Sequence, residues 1–298
     1  MNVSNFVIIV LSISLFSLTS FAMSTSILVT GANTGIGLAL CKQLVKDHGA
    51  KVFLGSRSPD KGAAAVEAVK KHAGSDAAPV ELLVLDVSDD KSVADAASSL
   101  KEKGVTLDAI VNNAGRGLQH GAKAQEIINV NLMGVKRVVD NFMPLLPAEN
   151  GRIVNVGSGS GPMYVSAQTR ERQQILCSSD VTWEQIEDIR DNGLATDSQN
   201  GYGVSKALVA AYTMYLAKKH PNVLCYSITP GFINTAITAG WGASKEPEEG
   251  TVSIKHALFE ATKEESGYFF GSDAKRSPLH FLRNPGEPVF DGVYPWDR

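Results

Sequence analysis

The stretch Ile27 to Lys46, ILVTGANTGIGLALCKQLVK, does most to limit what this chain can become: an apolar run feeds a glycine-rich turn, which opens directly into a helical period. A strand that is apolar without alternation is covered on both faces, so the sheet it joins needs helices on both sides. The alternation repeats along the chain. Strands are predicted at Ile27 to Thr30, Lys51 to Gly55, Val80 to Asp86, Ala109 to Asn112, Arg152 to Val156, Val223 to Ile228 and Gly267 to Phe270, with helical segments between them. Short apolar strands alternating with longer helical segments predict an α/β fold, a single doubly wound domain around a seven-stranded parallel sheet.

Two segments break this rhythm. Connections in such folds are commonly 2 to 6 residues, yet about forty residues, 159–200, separate RIVNV from GYGVSK, so an inserted helical segment is expected there. Within it SDVTWEQIEDIRDNG predicts a short amphipathic helix with Asp180 as cap, Val181, Trp183, Ile186 and Ile189 as its apolar side, and Gly193 at its end. The proline-rich tail, about 271–298, has no helical period and is expected to wrap irregularly over the folded domain of 26–298.

Residues 1–22 stand apart. Phe6 to Phe21, FVIIVLSISLFSLTSF, is uncharged and somewhat short of the ~20 residues that span a bilayer, and Ser20 with Ala22 fits a small-x-small cleavage site. The segment reads as a signal peptide or an N-terminal anchor. No Lys or Arg precedes the apolar run and the rest of the chain lacks an N-x-S/T sequon, so a start at Met23 stays open. The secretory pathway or endomembranes, with a membrane tether through residues 6–21, follow if the segment is used; the cytoplasm follows otherwise.

Composition excludes several functions. A formal charge of -3 without blocks of like charge leaves no electrostatic footprint for nucleic acid. Cys41, Cys177 and Cys225 are odd in number and far apart, and the six histidines are scattered, so neither a disulfide framework nor a metal site is expected.

Chemistry concentrates in three places. The turn Gly31 to Gly37 has the spacing G-x-x-x-G-x-G at a strand-to-helix junction, where backbone can approach a pyrophosphate and a helix N-terminus faces its charge. At the end of the second strand Ser56 stands where an acid would hold the ribose hydroxyls of NAD, and Arg57 follows; a guanidinium there suits the 2′-phosphate of NADP(H). Tyr202 and Lys206 in GYGVSK are four apart and share one helix face. A second such pair, Tyr215 and Lys219, lies thirteen residues on, which is roughly 20 Å along one helix. Both pairs cannot serve one site. The later pair precedes His220-Pro221 at the helix end, where a lysine complements terminal carbonyls, and it reads as structural.

In chain order TGANTGIG, LDV, NNAG, NVNLMG, RIVNVGS, YGVSK and TPGFINT resemble the motifs of the short-chain dehydrogenase/reductase family. The insertion before Tyr202 and the tail SDAKRSPL further resemble the monomeric carbonyl reductases, whose inserted segment covers a face used elsewhere for oligomerisation. The resemblance implies a Rossmann-type sheet and a catalytic set at Asn131, Ser158, Tyr202 and Lys206. It implies cofactor contacts at Gly31, Asn33, Gly35, Ile36, Gly37 and Arg57, at Asp86 and Val87 near the adenine, and at Asn113, Ala114 and Gly115. Tyr202, Lys206, Pro230, Gly231, Ile233 and Thr235 complete that set at the nicotinamide end. Two departures appear: NNAG and Asn131 are closer than the family norm by roughly half a dozen residues, which alters the substrate loop, and Gly157-Ser158 replaces the common Ser-Ser.

Read as chemistry, carbonyl reduction needs hydride at carbon and a proton at oxygen. Tyr202 is the candidate acid; a phenol near pKa ~10 is lowered by a cation one turn along, here Lys206. Ser158 follows a strand's C-terminal end and can hydrogen-bond the carbonyl oxygen. Asn131 interrupts the apolar stripe Ile128, Val135, Val138 and Phe142 of one long helix, so its amide is expected to bond backbone or a water that relays protons to Lys206. The expected function is NADPH-dependent reduction of a small carbonyl compound by a monomer. Oxidation of an alcohol and non-catalytic dinucleotide binding are the alternatives. The pocket walls are expected from the segment after Gly115, the insertion from Gly159, and Phe232 to Glu249 with Trp241.

Overall fold

The computed structural model of the protein describes residues 25–75, 77–117 and 121–298, and the expected leader or anchor of 1–22 lies outside the described residues. The strands are β1 (Ser26–Val29), β2 (Lys51–Ser56), β3 (Val80–Val84), β4 (Ala109–Asn112), β5 (Arg152–Val156), β6 (Leu224–Ile228) and β7 (Phe269–Phe270). All pair in parallel in the order β3-β2-β1-β4-β5-β6-β7, so the order reverses between β1 and β4. Ligands of open α/β sheets bind outside the carboxyl ends of the strands at such a reversal.

Each strand divides its side chains between two cores. Leu28, Ile110, Ile153 and Cys225 join one cluster, while Ile27, Val29, Val111, Val154 and Tyr226 join the other, which is why these strands read as continuous apolar runs. The helices α1 (Gly35–His48) and α2 (Pro59–Ala73) pack on the second face. On the first face lie α3 (Asp90–Glu102), the short α4 (Ala124–Ile128) and α5 (Gly134–Phe142). Further along come α6 (Ser160–Ser166), α7 (Arg170–Leu176), α8 (Trp183–Asn192) and α9 (Tyr202–Lys219) on the first face, and α10 (Val252–Phe259) on the second.

The structure differs from expectation in four places. β3 stops at Val84 because Asp86 turns the chain, its Oδ1 accepting from the amide and hydroxyl of Ser88 at 2.9 and 2.6 Å. β7 keeps only two residues; it is an edge strand and Gly267 enters it at φ +94°. The helix of the insertion is capped by Thr182 rather than Asp180, through a capping box with Gln185, and Asp180 instead pairs with Lys218 at 2.6 Å. The single long helix around Asn131 is three pieces: α4, a π-helical turn over Asn129–Met133, and α5.

Within 159–200 the chain forms α6, α7 and α8, with Val181, Ile186 and Ile189 buried and Trp183 edge-on to Tyr212 of α9, centroids 5.5 Å apart. The tail after Phe270 has no helix or strand. It is held by the buried Arg283, which pairs with Asp273, donates to Ser277 at 2.9 Å, and donates to the carbonyls of Asn284 and Glu287 at 3.1 and 2.9 Å. Among the described residues no helix is long and apolar enough to cross a membrane.

Candidate active site

A cleft of about 460 Å³ opens at the carboxyl ends of β1, β4, β5 and β6. Its floor at one end is the turn from Gly31 to Ile36, and its far wall is the segment Pro230 to Thr238 with Trp241. Gly31 and Gly35 adopt φ of +62° and +55°, a region that a Cβ disfavours. A Cβ on Gly31 would also lie 2.7 Å from the Cα of Ala114, and one on Gly37 would collide with the Asn113 amide. That amide donates to the carbonyls of Thr30 and Gly31 at 2.9 and 3.2 Å, while the Thr30 hydroxyl accepts from the amides of Asn113 and Ala114. The glycines therefore let the turns after β1 and β4 interlock. Thr34 caps α1 without a side-chain hydrogen bond and no acid occupies its first turn, so its leading amides face the cleft end as donors.

Tyr202 is the first residue of α9, and its placement depends on a residue four positions before the helix's own capping position. Gly201 sits at φ +91° and offers no side chain; the carboxylate of Asp197 accepts instead from the amides of Gly201 and Val204 at 3.0 and 2.9 Å. Further along, a buried polar chain ties α9 to the sheet: Asn112 donates to Asn155 at 2.8 Å, Asn155 to Thr213 at 2.9 Å, and Thr213 to the Val209 carbonyl at 2.8 Å. Against the other side of α9, α6 comes so close that a Cβ on Gly161 would lie 3.1 Å from the backbone of Lys206 and Ala207. Since α6 begins two residues after Ser158, this contact brings the serine to the phenol.

Lys206 is 5 % exposed, and its Nζ donates to the Val156 carbonyl at 2.8 Å, 5.8 Å from the Tyr202 ring centroid. Burial lowers its pKa to about 8. Burial likewise raises the Tyr202 phenol, against a hydrogen bond with Ser158 that lowers it. The expected depression of the phenol by Lys206 is thus not the ruling effect in the protein alone, where desolvation outweighs the Ser158 hydrogen bond and leaves the phenol raised. Asn131, 1 % exposed, bonds the backbone as expected: Oδ1 accepts from the Arg116 amide at 2.7 Å, and Nδ2 donates to the Arg116 carbonyl and the Ser205 hydroxyl, each at 3.0 Å.

Of the residues named from sequence, Gly31, Gly35, Ile36, Asn113, Gly115, Ser158, Tyr202, Lys206, Pro230, Gly231, Ile233 and Thr235 line the cleft. Gly37 and Ala114 lie behind it, and Asn131 lies beside Gly115. Asn33 is part-buried in the glycine turn outside the lining, and Arg57 is exposed just past β2. Val87 is buried against Gly134, inside the turn that the Asp89 amide closes on the Asp86 carbonyl.

The family model for short chain dehydrogenase matches residues 25–170. The chain is 32% identical over 280 residues to (+)-neomenthol dehydrogenase of Arabidopsis thaliana, covering 81% of this chain and 94% of that one. It is 30% identical to carbonyl reductase (NADPH) 1 of Bos taurus, covering 75% and 86%. The solved salutaridine reductase of Papaver somniferum superposes with a TM-score of 0.67 at 29% identity, covering 82% of this chain and 99% of that one. The chain belongs to the short-chain dehydrogenase/reductase family. It is an oxidoreductase.

For this dehydrogenase/reductase the sequence reading missed Asp197, Asn155, Thr213 and Gly161. Asn112 and Asn155 carried a signal, as polar letters inside the apolar runs AIVN and RIVNV. Asp197 carried one only in retrospect, as an acid shortly before a helix that lacks a capping side chain. Gly161 carried none, because the neighbour it accommodates is forty-five residues away in sequence.

Proposed function

We propose that the protein reduces a carbonyl compound, a ketone, aldehyde or quinone, to its alcohol with NADPH. The observation that carries this reading is the convergence of Ser158, Tyr202 and the buried Lys206 on one cleft whose other end is the glycine turn at the start of α1. The residues fit the cofactor: the Gly31 and Gly35 conformations leave the turn without Cβ atoms, the first amides of α1 are uncapped by a side chain, and Arg57 has no ion-pair partner among the described residues. When bound, NADPH supplies the hydride. The phosphates would lie on Gly31, Asn33, Gly35, Ile36 and Gly37, the 2′-phosphate on Arg57, the adenine near Asp86 and Val87, and the nicotinamide end near Asn113 to Gly115 and Pro230, Gly231, Ile233 and Thr235.

Tyr202 gives its proton to the substrate oxygen, and Ser158 donates a hydrogen bond to the same oxygen. Lys206, held by Val156, stabilises the phenolate left behind. Asn131 serves the set by fixing Arg116 and by bonding Ser205, the residue beside Lys206. The printed names of the relatives, a carbonyl reductase with NADPH and a neomenthol dehydrogenase, support a ketone and alcohol pair; the second also favours the oxidative direction as the alternative. An intact Ser158, Tyr202 and Lys206 argues against a merely binding role.

Purified protein with NADPH and a panel of cyclic ketones, quinones and aldehydes is expected to consume NADPH, with NADH slower. Tyr202→Phe is expected to lower the rate at least about 100-fold while cofactor binding persists. Full activity in that variant, or no turnover of any of the panel in either direction, would sink the reading. Because α8 lies on α9 with Trp183 against Tyr212 and under Lys136, the face it covers is not free for a second copy, which supports a monomer. Residues 1–22 act as a signal peptide or anchor in this proposal; mass spectrometry of the mature N-terminus decides between cleavage, retention and a start at Met23.

A further inference from the structure

A second cavity, about 400 Å³, lies between the last turns of α9, the start of β7 and the C-terminal tail, and shares no residue with the cleft. Met214, Ala217, Phe269, Leu279 and Phe290 give it apolar walls. One cation in it is unusual. The Arg276 guanidinium lies 3.8 Å from the Tyr268 ring centroid and 5.3 Å from that of Phe290, which is the separation of planar stacking for the first. Its third side is closed by Gly292, at φ +91°, where any Cβ would strike the guanidinium.

Among the described residues Arg276 is the one part-buried arginine with neither a carboxylate nor a carbonyl acceptor. The other part-buried ones all have partners: Arg116 with Glu126, Arg137 with Asp90, Arg152 with the Ala257 and Ala261 carbonyls, and Arg190 with Glu187 and Asp191. Arg172 donates to Gln168, and the fully buried Arg283 pairs with Asp273. Stacking uses the flat faces of a guanidinium, and Gly292 stands against the Nη1–Nη2 edge, so the in-plane donors of the Nε side are the ones left open. Those donors match a carboxylate in a two-bond fork. The second cation of the cavity, Lys218, is already paired with Asp180 at 2.6 Å, so one negative charge, not two, meets the site. The volume is that of a small organic ligand.

We propose that this cavity binds the carboxylate of a small organic acid with an apolar or aromatic body, its charge on Arg276 and its body against Phe290 and Met214. The site is separate from the cleft: Met214 is twelve residues along α9 from Tyr202, about 18 Å of rise.

Calorimetric titration of the full chain with benzoate, neutral benzamide and inorganic phosphate tests the assignment. Benzoate is expected to bind at least tenfold more tightly than benzamide or phosphate, with saturating NADPH leaving its affinity unchanged. Arg276→Gln is expected to weaken benzoate at least tenfold. Should that variant not fold, Ser179→Trp, which fills the exposed mouth and leaves the arginine intact, is expected to do the same. No benzoate binding, equal binding of benzamide, tighter binding of phosphate, displacement of benzoate by NADPH, or unaltered affinity in the folded variants would each overturn it.

Discussion

The charge state of Lys206 links the function of one side chain to the stability of the whole chain. Its pKa in the folded protein is about 8, below the roughly 10.4 of an exposed lysine. Between those values the unfolded chain holds a proton that the folded chain has released, so folding grows more favourable as pH rises through that window. Below about pH 8 the lysine is protonated in both states and the penalty for burying its charge is fully present. Relative to Lys206→Met, the wild-type protein is therefore expected to gain stability from about pH 8 to about 10.4, measured by urea melts at several pH values. A difference that is flat or falls with pH would show that burial does not govern this lysine. The variant is also expected to lose activity, since the methionine cannot support the phenolate of Tyr202. The same buried position that strains the ammonium places it next to the phenol that is the proposed acid.

At the scale of elements, α9 is a lever fixed at three points, and two of them give separable predictions. Asp197 caps the helix at the turn that starts with Tyr202, so Asp197→Ala is expected to cost about 1–2 kcal/mol of stability and to lower kcat more than it raises the KM for the cofactor. Asp197→Asn, which keeps an acceptor for the Gly201 and Val204 amides, is expected to restore most of both; a rescue by alanine as good as by asparagine would exclude the capping role. The Asn112–Asn155–Thr213 chain lies deeper, and the Oδ1 of Asn112 is a buried acceptor without a partner among the described residues. Asn155→Ala removes a bond to each neighbour and is expected to cost about 2–4 kcal/mol in chemical denaturation. Thr213→Val, which strands a single partner, is expected to cost less. The π-helical turn at Asn129–Met133 belongs to this scale as well: it interrupts the helix where Asn131 reaches sideways to Arg116, a common device at functional sites.

Over the whole molecule, the insertion and the tail enclose the first face of the sheet. Val181, Ile186 and Ile189 are buried beneath α8, and Leu282 of the tail touches Gly159, next to Ser158. Sedimentation equilibrium of the wild-type protein is expected to give a monomer, and Ile186→Asp, which charges the buried side of α8, is expected to uncover that face and produce loss of stability or self-association. A wild-type dimer would mean that another surface assembles.

Much of this was legible in the chain itself. Short, continuous apolar runs such as ILVT and RIVNV, set between longer helical segments, read as strands covered on both faces, and Gly31 and Gly35 of TGANTGIG stand where the backbone turns through positive φ, so the sheet and the tight turn after β1 follow from local chemistry. β4 and β5 begin and end where the runs AIVN and RIVNV do, because each lies between two neighbouring strands that pair with most of its residues on both sides. Elements at the margins, β3 and β7, shift because an Asx turn or a missing neighbour ends them. What only the folded chain decided is which groups meet: Asp197 on the amides of α9, Gly161 against Lys206, Arg276 against two rings, and the desolvation that sets the directions of the Tyr202 and Lys206 pKa shifts. A sequence fixes periodicity and local conformation; electrostatics and close approach depend on which surfaces meet.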